Sequence, residues 1–293
     1  MDKSSVLKST RGGKWIVFHE CSRYVYDWIS RQNHVKEESL TDWLLYEISE
    51  LCDFIHYQPF SRHEEAQNGS DWEWWILTKD ESERHKFYAY RFLVQAKKLL
   101  PNGSDNYSLI SYGNKYGTQV DLLLDSANVK NALPLYMFYS VGGSDVSEQI
   151  KNVQYIPSRT FTLCEDCING CYISLANVVY DILYNRPRMK VVDSELLNNS
   201  FKLSILDLIF EKNYKEIDYI MNLFNSRLLI NNIVSGRKNN NLDVNGIRHN
   251  EKSIPKYLKV FIQNKDKNLN WIQNEMRIED ISGLGVIDLR CRE

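Results

Sequence analysis

Asp71 and the tripeptide Gln95-Ala96-Lys97 are the residues of this chain whose types and spacing could do hydrolytic chemistry. Asp71 opens the run Trp72-Glu73-Trp74-Trp75-Ile76-Leu77, which reads as a strand from its aromatic content. Phe87 to Lys97 reads as a second strand. With the two taken as a hairpin turned near Glu83, Asp71 lies opposite Gln95. Side chains alternate along a strand, so Gln95 and Lys97 share one face and Asp71 joins them there. Trp72 and Trp74 then point to the other face, with Val94 and Ala96, and can pack on a helix. The result is an acid, an amide oxygen and an ammonium gathered within a few ångströms.

Such a group can cleave phosphodiesters. Asp71, the Gln95 amide oxygen and the Ala96 carbonyl are hard oxygen donors suited to Mg2+, with Mn2+ as a substitute. The ion would polarise a phosphate and lower the pKa of a bound water. Lys97 could orient that water or stabilise charge developing on phosphorus. A neutral Gln95 leaves a metal under-neutralised, so a further acid is expected. Glu47 interrupts the apolar face of a helix starting near Ser39, formed by Leu40, Trp43, Leu44, Ile48 and Leu51. That placement makes Glu47 the first candidate for the missing acid; the alternative is a residue at the edge of the face. Glu38 and Glu65 are less well placed, and Lys98 follows the tripeptide as a candidate substrate contact.

The elements that must position these residues follow from periodicity. Trp15 to Ile29 has helical spacing, and Ser39 with Asp42 reads as a helix start. Gln119 to Val129 reads as a helix and Leu135 to Ser140 as a short buried strand. The order implies an α/β fold with a mixed central sheet flanked by helices. Residues 1–13 read as a loose tail, 14–165 as the core, and 166–293 as a mostly helical region ending in a possible strand at Gly283 to Arg290.

Those same residues resemble the restriction-endonuclease-like superfamily, the PD-(D/E)XK nucleases, in the Gln-x-Lys form of the Mrr-like branch. The resemblance gives Asp71 the aspartate role, Gln95 and Lys97 the tripeptide roles, and Glu47 the helix-acid role. A narrower resemblance is to uncharacterised bacterial proteins with the segment Glu64-Glu65-Ala66-Gln67-Asn68-Gly69-Ser70-Asp71-Trp72-Glu73-Trp74-Trp75 and the tripeptide. It extends to Tyr107 and Gln119 and covers roughly Glu38 to Tyr139. It implies an endonuclease acting on nucleic acid, DNA first, in bacterial restriction or anti-phage defence. The expected partner is a second copy or an activating defence component.

Other features weigh less. Net charge is −2 over 293 residues, so a polyanion would have to be bound in a local groove. The start has no apolar leader and no run is long enough to span a bilayer, so a cytoplasmic protein with reduced thiols and no membrane partner is expected. Cys164, Cys167 and Cys171 have half of a zinc spacing. A structural zinc takes four ligands, so they are read as ordinary thiols, with Cys171 at the start of a helix. His19 and Cys21 lie two apart on a helix and do not face each other. Gly12-Gly13 and Gly142-Gly143 lack a phosphate-loop pattern. Arg237, Lys238, Arg248, Lys252, Lys256 and Lys259 form a basic stretch that reads as a solvated surface or a phosphate contact.

Overall fold

A computed structural model describes residues 16–60, 68–79, 86–99, 101–102, 106–107, 113–114, 117–141, 168–184, 196–197, 200–210, 217, 219–226, 247–264, 271 and 282–291. Two helices come first, α1 (Val17–Arg31) and α2 (Glu37–Leu51), followed by β1 (Ile55–Pro59), β2 (Trp72–Lys79) and β3 (Phe87–Leu99). Then come α3 (Gln119–Lys130), β4 (Leu133–Ser140), β5 (Cys171–Leu175) and α4 (Ala176–Tyr184). The described remainder holds β6 (Phe201–Lys202), a 3-10 segment (Leu203–Phe210), β7 (Arg248–Asn250), α5 (Lys256–Gln263) and β8 (Gly283–Asp288).

The fold is α/β, with one mixed sheet of eight strands in the order β1-β8-β2-β3-β4-β5-β6, and β7 added to β3. β2 and β3 pair antiparallel, with Trp72 opposite Val94. One step further along the same register, Asp71 faces Gln95, as the hairpin reading expects. β3 and β4 run parallel, joined through α3, so the third and fourth strands form a helical crossover. Asn131 closes α3 at φ 48°, a left-handed position that asparagine tolerates.

The sheet has a core on each face. Trp72, Trp74, Val94 and Ala96 pack with Phe18 and Val25 of α1 and Leu40, Leu44 and Ile48 of α2. Trp75, Leu77 and Ala89 pack with Leu258 and Phe261 of α5. The alternation of β2 therefore divides its tryptophans between the two layers.

Two expectations need correction. The second helix begins at Glu37, two residues before the Ser39 start signal, with Lys36 at its cap. Cys171 opens a strand, not a helix, and its buried amide donates to Ser22 Oγ at 3.0 Å. The described part of the region after residue 165 holds helical segments at α4, Leu203–Phe210, residues 219–226 and α5, together with the strands β5, β6, β7 and β8. The last of these lies inside the sheet, antiparallel to β1 and parallel to β2. Its place depends on pairing over some two hundred residues, which local periodicity does not carry.

Candidate active site

Asp71 is held from three sides. Its amide donates to Val94 O at 2.8 Å, and its own carbonyl accepts from the backbone and hydroxyl of Ser282 at 2.7 and 2.6 Å. The C-terminal strand thus fixes the backbone that presents the acid. Oδ2 of the side chain accepts from Ala96 N–H at 2.6 Å and from Gln95 Nε2 at 2.6 Å. The same Gln95 amide also donates to Ala96 O at 3.0 Å. Gln95 is 1% exposed, so this polar group is buried and has to be satisfied internally.

Helix α3 supplies the next layer. Gln119, its first residue, donates through Nε2 to Gln95 Oε1 at 2.6 Å. The helix starts on Thr118, whose hydroxyl accepts from Asp121 N–H at 3.4 Å. Tyr184 of α4 reaches the same cap, donating to Thr118 Oγ1 at 3.0 Å and to Asp121 Oδ2 at 3.1 Å. Gly69 lets α3 come this close. It sits at φ +72°, and a Cβ there would meet Gln119 O at 2.4 Å and Leu123 N at 2.6 Å. Only glycine fits both the left-handed backbone and the contact.

Lys97 faces an acid that sequence reasoning did not single out. Its Nζ lies 3.6 Å from Glu37 Oε1, and Lys98 N–H donates to Glu37 Oε2 at 2.7 Å. Burial pushes the Glu37 carboxyl above its ordinary range, against the opposing pull of Lys97 and the Lys98 amide. Glu37 is therefore the acid of α2 that meets the end of β3. Glu47 lies ten residues, about 15 Å, further along the same axis. There it is half-buried, and its charge acts on the buried Cys21 thiol, which burial first and Glu47 second push upward. The Glu37-Glu38 pair before the apolar face reads as a first-turn complement to the helix dipole, a signal that hides a site residue.

Lys98 is committed elsewhere. Its ammonium donates to Asn33 O at 3.0 Å and to Val35 O, clamping the loop before α2. Glu38 is exposed in the first turn of α2. The Tyr107 backbone pairs with Pro101, and its side chain lies outside the described residues. Glu65, Cys164, Cys167, residues 1–13, Arg237 and Lys238 also lie outside them.

Tyr136 of β4, in register with Gln95, is the other residue that sequence reasoning missed. Its ring stacks on Phe138 at 5.6 Å, and the side chain is fully buried. The hydroxyl has no hydrogen-bond partner among the described residues. Burial holds it well above its ordinary pKa, with Asp71, Asp121 and Glu37 adding to the effect.

Among the described residues, no three His, Cys, Asp or Glu side chains gather into a metal cluster. The oxygen donors that meet here are of mixed kind: the Asp71 carboxylate, the Gln95 amide and the Ala96 carbonyl. Hard oxygens of this sort suit Mg2+ or Mn2+. The donor set fits on one further observation, that a single NH2 group bridges the Asp71 carboxylate and the Ala96 carbonyl. Two oxygens already converge on one electropositive group.

No helix among the described residues is long and apolar enough to cross a membrane. No curated protein matches the sequence. Residues 16–278 match a family of unknown function, DUF6615, and that span includes Glu37, Asp71, Gln95, Lys97, Gln119 and Tyr136, so the chain belongs to DUF6615.

Proposed function

We propose that this chain is a metal-dependent nuclease of the PD-(D/E)XK type, hydrolysing phosphodiester bonds of nucleic acid, with DNA as the first substrate to test. The observation that carries the reading is the Asp71 carboxylate held 2.6 Å from the Gln95 amide and from Ala96 N–H, at the end of β3 that also bears Lys97.

When bound, Mg2+ would supply polarisation of the phosphodiester and a more acidic water. Asp71, the Gln95 amide and the Ala96 carbonyl are the groups to hold it. Asp71 is prevented from swinging away by its bond to Ala96 N–H, which orients the carboxylate against β3. Lys97 places a positive charge where negative charge grows on phosphorus, and Glu37 keeps that ammonium aimed. Gln119 fixes the Gln95 amide. An acidic overall balance, at net −2, leaves substrate attraction to local groups such as Lys97.

Purified protein incubated with supercoiled plasmid and with RNA, each in Mg2+ or EDTA, tests the reading beside Asp71→Ala and Lys97→Ala. Metal-dependent cleavage lost in both variants supports it. Substrate bound without cleavage under all conditions favours a nuclease-fold binding module that has lost the reaction.

A further inference from the structure

The Gln95 amide has two ends with opposite chemistry, and the structure fixes which end faces which partner. Nε2 faces Asp71 Oδ2 at 2.6 Å and Ala96 O at 3.0 Å, while Oε1 faces Gln119 Nε2 at 2.6 Å. Turning Gln95 over alone would set Oε1 against a carboxylate and a carbonyl, and Nε2 against another NH2 group. Both contacts would be repulsive, so the observed orientation is required by its neighbours. Yet the two oxygens that Nε2 bridges are the ones suited to a divalent cation, and an NH2 group cannot ligate one.

Gln119 carries the complementary feature. Its Oε1 is buried and has no hydrogen-bond partner among the described residues. A buried acceptor left unpaired is unfavourable. If Gln119 turns over, that oxygen comes round to meet Gln95, and it can accept only if Gln95 offers Nε2.

We infer that Gln119 is a positioning residue for cation binding, and that the Gln95 and Gln119 amides turn over together. In one state the Gln95 NH2 group stands between Asp71 and Ala96 O as a substitute positive end. In the other, Gln95 presents Oε1 to the cation and donates Nε2 to Gln119 Oε1. The exchange needs no backbone movement, since each amide only rotates about its last torsion. It keeps the contact between the two amides paired in both states, so Asp71 is never left facing another acceptor without a cation. The inference rests on the cation-dependent reading of the same site and assigns Gln119 a role within it.

The test measures Mn2+ affinity from the free-ion paramagnetic resonance signal, together with the Gln95 side-chain NH2 resonances of 15N-labelled protein in Mg2+. The Gln95 signals are identified by their loss in Gln95→Glu. Mg2+ should move them in the wild type. Gln119→Glu can only accept, so it forces Gln95 to present Oε1. It should tighten Mn2+ binding about tenfold, equal to about 1.4 kcal/mol. In Gln119→Glu the NH2 signals should sit at the Mg2+-bound position before any metal is added. The gain should vanish in a Gln95→Glu background, where there is no amide to turn.

Mn2+ binding that needs Asp71 but leaves the Gln95 signals unmoved would overturn the coupled turnover alone. So would a tenfold gain that persists with Glu at 95, which would be the effect of charge. Absence of any binding that Asp71→Ala removes would overturn the cation site itself, and the inference with it.

Discussion

Replacing Gly69 by alanine should damage the site through the backbone alone. Gly69 has φ +72°, and a non-glycine residue there costs about 1–2 kcal/mol. The added Cβ would stand 2.4 Å from Gln119 O and 2.6 Å from Leu123 N, against ordinary contacts of about 3.5 Å. The first turn of α3 must retreat by about 1 Å, and such overpacking costs a further ~1–3 kcal/mol. A shift of that size stretches the 2.6 Å bond from Gln119 to Gln95 toward ~3.6 Å, beyond hydrogen-bonding reach. The loss of that bond adds about 1 kcal/mol. The sum is about 3–6 kcal/mol, a large share of a typical domain's ~5–15 kcal/mol. Gly117→Ala is the control. It shares a positive φ, +144°, but among the described residues its Cβ would meet only the Leu122 side chain, at 3.7 and 3.8 Å. Urea unfolding of both variants, with cleavage assayed well below each midpoint, separates the two costs. Gly69→Ala should fall clearly below Gly117→Ala in stability and lose activity while folded. Equal stability of the two variants would refute the close approach of α3 to Gly69.

Three further outcomes are expected. Glu37→Gln should lower cleavage roughly ten- to hundredfold by freeing Lys97, as loss of a supporting group commonly does. Because the Glu37 carboxyl is raised, the acid limb of wild-type activity should lie above the ordinary carboxylate range and disappear in Glu37→Gln. The folded state then holds the proton more tightly than the unfolded one. Glu37's contribution to stability should therefore decline as pH rises from the ordinary carboxylate value through the raised one, and a rise measured in a wild-type against Glu37→Gln comparison would count against it. Tyr136→Phe removes a buried hydroxyl without a partner among the described residues, so thermal unfolding should show Tm unchanged or raised; a fall above about 1 kcal/mol would reveal a bond there. Arg91→Met should cost about 3–5 kcal/mol in chemical unfolding by stranding Glu73, and Glu73→Gln added to it should recover part of that.

The last of these concerns a buried network on the α5 side of the sheet. Arg91 donates to Glu73 at 2.6 and 3.0 Å and to Lys130 O at 3.1 Å, and Tyr257 of α5 donates to Glu73 as well. His249 adds a 2.9 Å contact to Asn131 O, and burial lowers its pKa. This network joins the C-terminal elements to β2 and β3 and fixes the turn between α3 and β4. It explains why Glu73 can sit among tryptophans in a strand with only 1% exposure.

The strand pair was legible because its determinants are local. A turn centre and period-two alternation set Asp71 opposite Gln95, and α3 began at Gln119 as its apolar spacing implied. The contact of Glu37 with Lys97 was not legible. Placing a side chain on a helix requires the helix start, and the Ser39 signal put it two residues late, which passed over Glu37. Glu47 interrupted an apolar face as expected, but the face it meets is α1 at Cys21, not the sheet end. Tyr136 gave no signal because an aromatic in a buried strand looks like any core residue. The position of β8 between β1 and β2, and with it the Ser282 tether on Asp71, arises from long-range pairing that no window of sequence encodes.

The central claim is that Asp71, Gln95 and Lys97 form one cation-dependent hydrolytic site. The most direct measurement is the rate of supercoiled-plasmid cleavage in Mg2+ by the wild type, Asp71→Ala, Lys97→Ala and Glu47→Gln, with EDTA as the blank. Cleavage by the wild type and Glu47→Gln, absent from Asp71→Ala, Lys97→Ala and EDTA, is the predicted result. Cleavage that persists in Asp71→Ala, or that ignores EDTA, would contradict it.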